Sequence, residues 1–318
     1  MVEVTTLVPI TAHVVEKRND YGEITQLDMT DKMLRDHHIH EYMAKTSKDH
    51  ENVDSIYIRY ESKITHVGLR ALEKMFVNPY QVSTLDMGGI TMRSEEIHWL
   101  QDIISNPSSL LTSLEITLDC QSMEMFGLVS QALSSPSCRI TRLRIHLGFV
   151  GVIMDFESFC DRFSKEVAAF MYNNKSIHYL RLSRFPFQNH HIREIGTSLK
   201  QNRTLTHLMI FGGCTDNEGC QTILEALHIN NTLTHLIMRC NVRNIDPWID
   251  AIHTNAMIDS IGLYGDPTYP TYDIDHPLLV GLNTNRMHKR RIKSIIMATG
   301  IQNPKIGISL FKRLVWQK

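Results

Sequence analysis

Residues 205–210 read LTHLMI, and residues 233–238 read LTHLIM, nearly the same phrase 28 positions later. Outward from this pair, the form apolar-x-x-apolar-x-apolar returns as ITQLDM (24–29), VDSIYI (53–58), VSTLDM (82–87), LTSLEI (111–116), ITRLRI (140–145), IHYLRL (177–182) and IDSIGL (258–263). The central anchors are Leu27, Ile56, Leu85, Leu114, Leu143, Leu180, Leu208, Leu236 and Ile261, spaced by 29, 29, 29, 29, 37, 28, 28 and 25 residues. Nine phased copies of one pattern mark a structural period.

Within each copy apolar and variable residues alternate, which predicts a short strand with one buried face. Between copies the period changes to that of an amphipathic helix. Gly68, Leu72 and Phe76 recur at helical spacing, as do Leu100 with Ile104, and Gly219, Ile223 and Leu227. Asn106-Pro107, Ser135-Pro136, Asn173-Asn174, Gln201-Asn202 and Asn230-Asn231 stand where those helices must end. Asn174, Asn202 and Asn230 also begin Asn-x-Ser/Thr sequons, for which a turn-forming role is sufficient reason. A single βα unit cannot bury its own apolar face, whereas stacked units share one core.

The period, the Leu-x-x-Leu-x-Leu strand and the Gly-x3-Leu-x3-Leu helix resemble the ribonuclease-inhibitor type of leucine-rich repeat over roughly residues 20–270. The resemblance implies an α/β solenoid, a horseshoe arc of about nine βα repeats, with parallel strands on the concave face and helices on the convex face. Residues 1–20 are then an N-terminal cap, 21–270 the solenoid and 271–318 a basic C-terminal cap or tail. The family places Asn or Cys five residues after the central Leu. Here only Asn241 fits, which predicts less regular strand-to-helix loops. Such proteins include inhibitors, immune sensors, cytoskeletal scaffolds and host-directed bacterial effectors. The resemblance implies a non-enzymatic protein-binding scaffold or adaptor, cytoplasmic or, for a secreted effector, in the host cytosol.

On such a solenoid the positions one before, one after and three after each anchor face out of the strands. The first four repeats offer small, polar and mildly acidic residues there, among them Asp28, Asp86, Gly88, Glu115 and Thr117. The last five offer Arg142, Arg144, His146, Tyr179, Arg181, Ser183, His207, Met209, Phe211, His235, Ile237, Arg239, Ser260, Gly262 and Tyr264. Arg and aromatic residues anchor interfaces, and Met209, Phe211 and Ile237 are out of place on a face meant to stay wet. The partner-binding residues are therefore expected to be Arg142, Arg144, His146, Tyr179, Arg181, His207, Met209, Phe211, His235, Ile237, Arg239 and Tyr264. Their charge suits a protein with an acidic surface. The 37-residue spacing predicts a longer helix over 155–172, with Phe156, Phe159, Phe163, Val167 and Phe170 as its apolar stripe.

The bulk composition narrows the function classes. Lys and Arg number 33 against 34 Asp and Glu, so the whole chain carries no bias toward nucleic acid or membrane. Hydrophobic residues make up 42% and charged residues 21%, as in a folded domain. Six irregularly spaced cysteines in a long chain predict reduced thiols rather than a disulfide framework. The first residues lack a basic leader, and no apolar run reaches membrane-spanning length. Charge is nevertheless uneven: residues 276–318 hold nine Lys or Arg and no Asp or Glu. Arg286, Lys289, Arg290, Arg291 and Lys293 are an alternative site for RNA or a phosphoinositide membrane.

Phosphate-loop, dinucleotide, nucleophile-elbow and zinc-protease motifs are absent, so no enzyme, cofactor or small-molecule substrate is expected. Three histidine groups stand out: His37/His38/His40, His190/His191, and His207 with His235, which share a strand position one repeat apart. Binding of a metal by His207 and His235, with Cys214 or Cys240, is the alternative to a structural role.

Overall fold

The computed structural model describes residues 9–11, 14–30, 34–45, 51–58, 64–77, 79–92, 94–118, 123–148, 156–215, 217–240, 246–255, 257–264 and 294–297. The chain divides into two compact units, residues 1–159 with 174–177, and residues 160–173 with 178–318.

Unit 1 opens with β1 (Pro9–Thr11) and β2 (Val14–Arg18), which pair antiparallel to each other; β2 pairs antiparallel to β3 (Ile24–Asp28). From β3 onward the strands are parallel, each followed by a crossover: α1 (Asp36–Lys45), β4 (Ser55–Tyr57), α2 (His66–Leu72) with a 3-10 turn (Glu73–Phe76), β5 (Thr84–Thr91), α3 (Ser94–Ser105), β6 (Ser113–Leu118), α4 (Met123–Leu133) and β7 (Arg142–Leu147). The register places Leu27 against Ile56, Ile56 against Leu85, Leu85 against Leu114 and Leu114 against Leu143. All five are buried. A helix between successive strands is what a parallel pairing requires.

Unit 2 holds most of α5 (Phe156–Asn173), then β8 (Tyr179–Ser183), α6 (Asn189–Gln201), β9 (His207–Thr215), α7 (Asn217–Ile229), β10 (His235–Cys240), α8 (Asp246–Thr254), β11 (Ser260–Tyr264) and β12 (Ser294–Met297). Here Leu180 registers with Leu208, Leu208 with Leu236, and Leu236 with Ile261. β12 adds a parallel strand, with Ile295 against Ile261, where the sequence suggested only a cap. Each unit is thus a repeat-like α/β arrangement, and all nine anchors fall on strands. The basic residues Arg286 to Lys293 and the final stretch lie outside the described residues. Among the described residues no helix is long and apolar enough to cross a membrane.

The long spacing is filled by α5, at 18 residues the longest of the described helices. Its Phe159, Phe163, Val167 and Phe170 are buried as expected, while the Phe156 side chain lies outside the described set. Phe163 stacks on Phe185 at 4.1 Å, and Phe185 on Phe187 at 5.3 Å. The segment carrying these rings passes so close to β9 that Gly212 (φ 137°) and Gly213 (φ 65°) leave room for no Cβ.

The helix ends are tied from one repeat to the next. Asp36 Oδ1 accepts the backbone N–H of Thr65 at 2.8 Å and of Gly68 at 3.1 Å. It therefore satisfies two donors that the start of α2 leaves open. A Cβ on Gly68 would stand 2.5 Å from that oxygen, which explains glycine there. Asn189 approaches Gly219 in the same way. At the other end, Asn174, Asn202, Asn230 and Asn255 are buried, each accepting two backbone N–H bonds from the turn that follows. Each Nδ2 reaches back to the preceding repeat: Asn174 to Leu133 O, Asn202 to Met171 O at 2.6 Å, Asn230 to Leu199 O at 2.8 Å and Asn255 to Leu227 O. Asn202 does not take the left-handed cap conformation common at helix ends. Its backbone is extended, at φ −65° and ψ 136°, because the side chain does the closing.

One expectation is overturned: Cys220 and Cys240 are joined by a disulfide. α7 leads directly into β10 and brings these residues together, a proximity that linear spacing does not show. Cys138 and Cys160 are buried.

Candidate binding face on the strands

Unit 2 carries most of the expected binding residues, in rows fixed by strand register. Tyr179, His207 and His235 form the first row, one residue before the anchors. The Tyr179 and His207 rings lie 5.9 Å apart, and His207 stacks on His235 at 4.2 Å with planes 7° apart. The second row is Arg181, Met209, Ile237 and Gly262. Beyond these rows the β9–β10 register breaks after Met238: Phe211 registers with Ser183, and Arg239 with Tyr264.

The rows are also joined along and across strands. Tyr179 Oη donates to Met209 Sδ at 3.2 Å, and Arg181 Nε donates to Ser183 Oγ at 3.1 Å. The Arg181 guanidinium lies over the Phe211 ring, 4.8 Å from its centre, within cation–π range. These side chains are partly exposed, so the face combines imidazole edges, an apolar middle and guanidinium groups on one patch. The Tyr264 and Ser260 side chains lie outside the described set.

Arg142, Arg144 and His146 belong to unit 1, where β6 answers them. Arg144 Nη1 donates to Glu115 Oε2 at 2.8 Å, and His146 Nε2 meets Glu115 Oε1 at 3.0 Å. Burial by itself would raise the Glu115 pKa. Hydrogen bonds from His146 and Arg144, with their charge, outweigh it and hold the carboxyl down at about 2. Part of the cationic surface read from the sequence is therefore satisfied within the protein. Glu115 registers directly with Arg144, so opposite charges one repeat apart were the available signal.

Several positions expected to face solvent are buried: Asp86, Gly88, Thr117, Ser183 and Gly262. Asp86 turns back to accept the Gly88 N–H at 2.9 Å, and a Cβ on Gly88 would crowd both Asp86 and Glu115.

One titratable cluster off this face has metal-like spacing. Ligand atoms of Asp161, His190 and His191 lie within 4.8 Å of one another. The proton arrangement argues against ligation. His191 Nδ1 accepts the Gln188 backbone N–H at 2.8 Å, so the neutral ring carries its proton on Nε2 and donates it to Asp161 Oδ1 at 3.0 Å. An Nε2 ligand would need that proton on Nδ1, against the donor N–H. The same cap recurs at α1, where His38 Nδ1 accepts the Arg35 N–H at 3.1 Å and His37 packs beside it. The paired histidines are helix starts. Burial, then neighbouring His190, pushes the His191 pKa down, against the opposing pull of Asp161.

No family model matches the chain, and no curated protein does. Among solved structures it is similar to leiomodin-1 actin-binding site 2, at 24% identity and a TM-score of 0.28, over 35% of this chain and 64% of that one.

Proposed function

We propose that the chain is a leucine-rich-repeat scaffold of the ribonuclease-inhibitor-like type, a non-enzymatic adaptor that binds another protein through the outward strand positions of unit 2. The supporting observation is the patch on which Met209 and Ile237 lie between the imidazoles of His207 and His235 and the guanidinium groups of Arg181 and Arg239. Apolar side chains held partly exposed on a rigid strand face lose little entropy on binding. Arginine on an aromatic ring is pre-positioned to take a carboxylate in two-point fashion. The favoured partner is a protein with an acidic surface.

The test is cross-linked affinity capture from cell lysate, repeated with Arg181→Glu and Arg239→Glu combined. The proteins retained by wild type are expected to be lost from the double variant. Unchanged retention would remove unit 2 as the binding face. A second reading rests on the charge of residues 276–318: binding of anionic lipid or RNA by the tail. Salt-sensitive vesicle or RNA retention that disappears on truncation after residue 285 would support it, and retention unaffected by that truncation would refute it.

A further inference from the structure

We propose, resting on the reading just given, that His191 is a pH-sensitive positioning residue for the unit 2 face: its neutral ring holds the segment that seats Phe211 beneath Arg181, and its protonation releases that segment.

A backbone N–H only donates, so the Gln188 N–H at 2.8 Å fixes His191 Nδ1 as the unprotonated nitrogen of the neutral ring. The ring proton on Nε2 goes to Asp161 Oδ1 at 3.0 Å. The site left for a further proton is Nδ1 itself. A proton there would set two donors against each other at hydrogen-bond distance, on a fully buried side chain. Protonated His191 therefore cannot keep its cap on the start of α6.

The cap adjoins the segment that leads from β8 into α6. Phe187, next to Gln188, packs its ring 5.8 Å from that of His191. The Phe187 carbonyl stands against the place of a Cβ on Gly213, and the Phe185 carbonyl lies 2.5 Å from the place of one on Gly212. The Arg184 N–H donates to Phe211 O at 2.5 Å, which ties the same segment to β9 just before those glycines. The Phe211 ring carries the Arg181 guanidinium 4.8 Å above its centre. Interiors filled this closely transmit a shift rather than absorb it. Movement of residues 184–188 thus displaces the ring on which Arg181 rests.

Charged groups surround the ring on both helices. Asp161 comes from α5, and His190 of α6 meets the same Asp161 oxygen at 2.7 Å. Glu194 of α6 accepts from Ser164 at 2.5 Å, and Arg193 pairs with Glu218 of α7 at 2.6 Å. Arg162 and Arg184 are exposed. Burial first, then charge on His190, disfavours the protonated His191 ring against the pull of Asp161 and Glu194. Release therefore falls below the ordinary 6.5 of an imidazole. It weakens the grip of the face on an anion as pH falls. Positive charge added elsewhere on the face would strengthen that grip, so the sign separates the two effects.

The experiment is a pH titration of the full chain by NMR, from about pH 7.5 to pH 5. The His191 ring should titrate below about pH 6.5, and the Arg184 amide and Phe211 ring should shift with the same midpoint. His191→Gln, whose amide oxygen can accept the Gln188 N–H without titrating, should abolish those shifts. Calorimetry with a short peptide alternating Glu and Leu then reads the face. The affinity of the variant relative to wild type is expected to be about one at pH 7.5 and to rise by up to about tenfold per pH unit below about pH 6.5. Taking the ratio removes every proton that the two proteins take up alike. Arg184 and Phe211 resonances that ignore the His191 midpoint, or that shift equally in the variant, would overturn this inference, as would a ratio that stays flat; the unit 2 reading would stand. No binding of the peptide at either pH would instead overturn the acidic-partner reading, and the wild-type resonances alone would decide the role of His191.

Discussion

Glu115, Arg144 and His146 show how a surface charge becomes structural. The carboxylate is held at about 2 against an ordinary 4.5 because hydrogen bonds and charge from His146 and Arg144 on the next strand outweigh its burial. Because its folded value lies below its unfolded one, its contribution is whole above about pH 4.5 and is lost as pH falls from there toward 2. Glu115→Gln should cost roughly 2 kcal/mol at neutral pH and remove most of that acid limb, as read from denaturant midpoints at about pH 7 and pH 3. An unchanged midpoint at neutral pH would show that the cluster is incidental. His191 makes a pH prediction in a different window. It is buried and neutral, with its pKa pushed below the usual 6.5, so its share of stability is full above about pH 6.5 and is lost as pH falls further. His191→Gln can keep the cap through its amide oxygen while removing the titration. The fall in stability between about pH 7 and pH 5.5 should shrink in this variant; an unaltered fall would place the titration elsewhere. In the sequence His190 and His191 stand out only as a pair, since residue type carries no information about which nitrogen holds the proton.

At the scale of elements, strands and helices follow directly from the alternation of period 2 and period 3.6, and the buried stripes at Leu72 and Phe76 or Ile223 and Leu227 are as read. The joints between repeats were not legible, because they depend on bonds spanning 25 to 41 residues. Asn230 is representative. Its side chain takes N–H bonds from Thr232 and Leu233 and gives its own to Leu199 O and Asn202 O. Asn230→Ala would orphan buried groups on two repeats and should cost roughly 2–4 kcal/mol. Half-buried Asn106, whose Oδ1 accepts the Ser108 N–H, should cost less than about 1 kcal/mol on the same substitution. Equal losses from chemical denaturation would contradict the distinction between a joint and a turn. Gly68→Ala presses a methyl group toward Asp36 Oδ1 and should destabilise by roughly 1–3 kcal/mol, although alanine is the better helix former.

For the molecule as a whole, the deciding quantity is the spacing of nine anchors, because it dictates a parallel ladder in which each repeat is buried chiefly by its neighbours. That arrangement makes stability nearly one-dimensional within a unit. Leu85 is fully buried in β5 and registered between Ile56 and Leu114. Leu85→Ala removes apolar volume from three adjacent repeats and should cost roughly 3 kcal/mol. Native-state hydrogen exchange should locate the damage. Amides of β4, β5 and β6 are expected to exchange faster, while those of β3 and β7, one repeat further out, change less. Uniform acceleration from β3 to β7 would mean that unit 1 opens as one block. The repeats would then be too strongly coupled for the ladder description, even though their sequence period is regular.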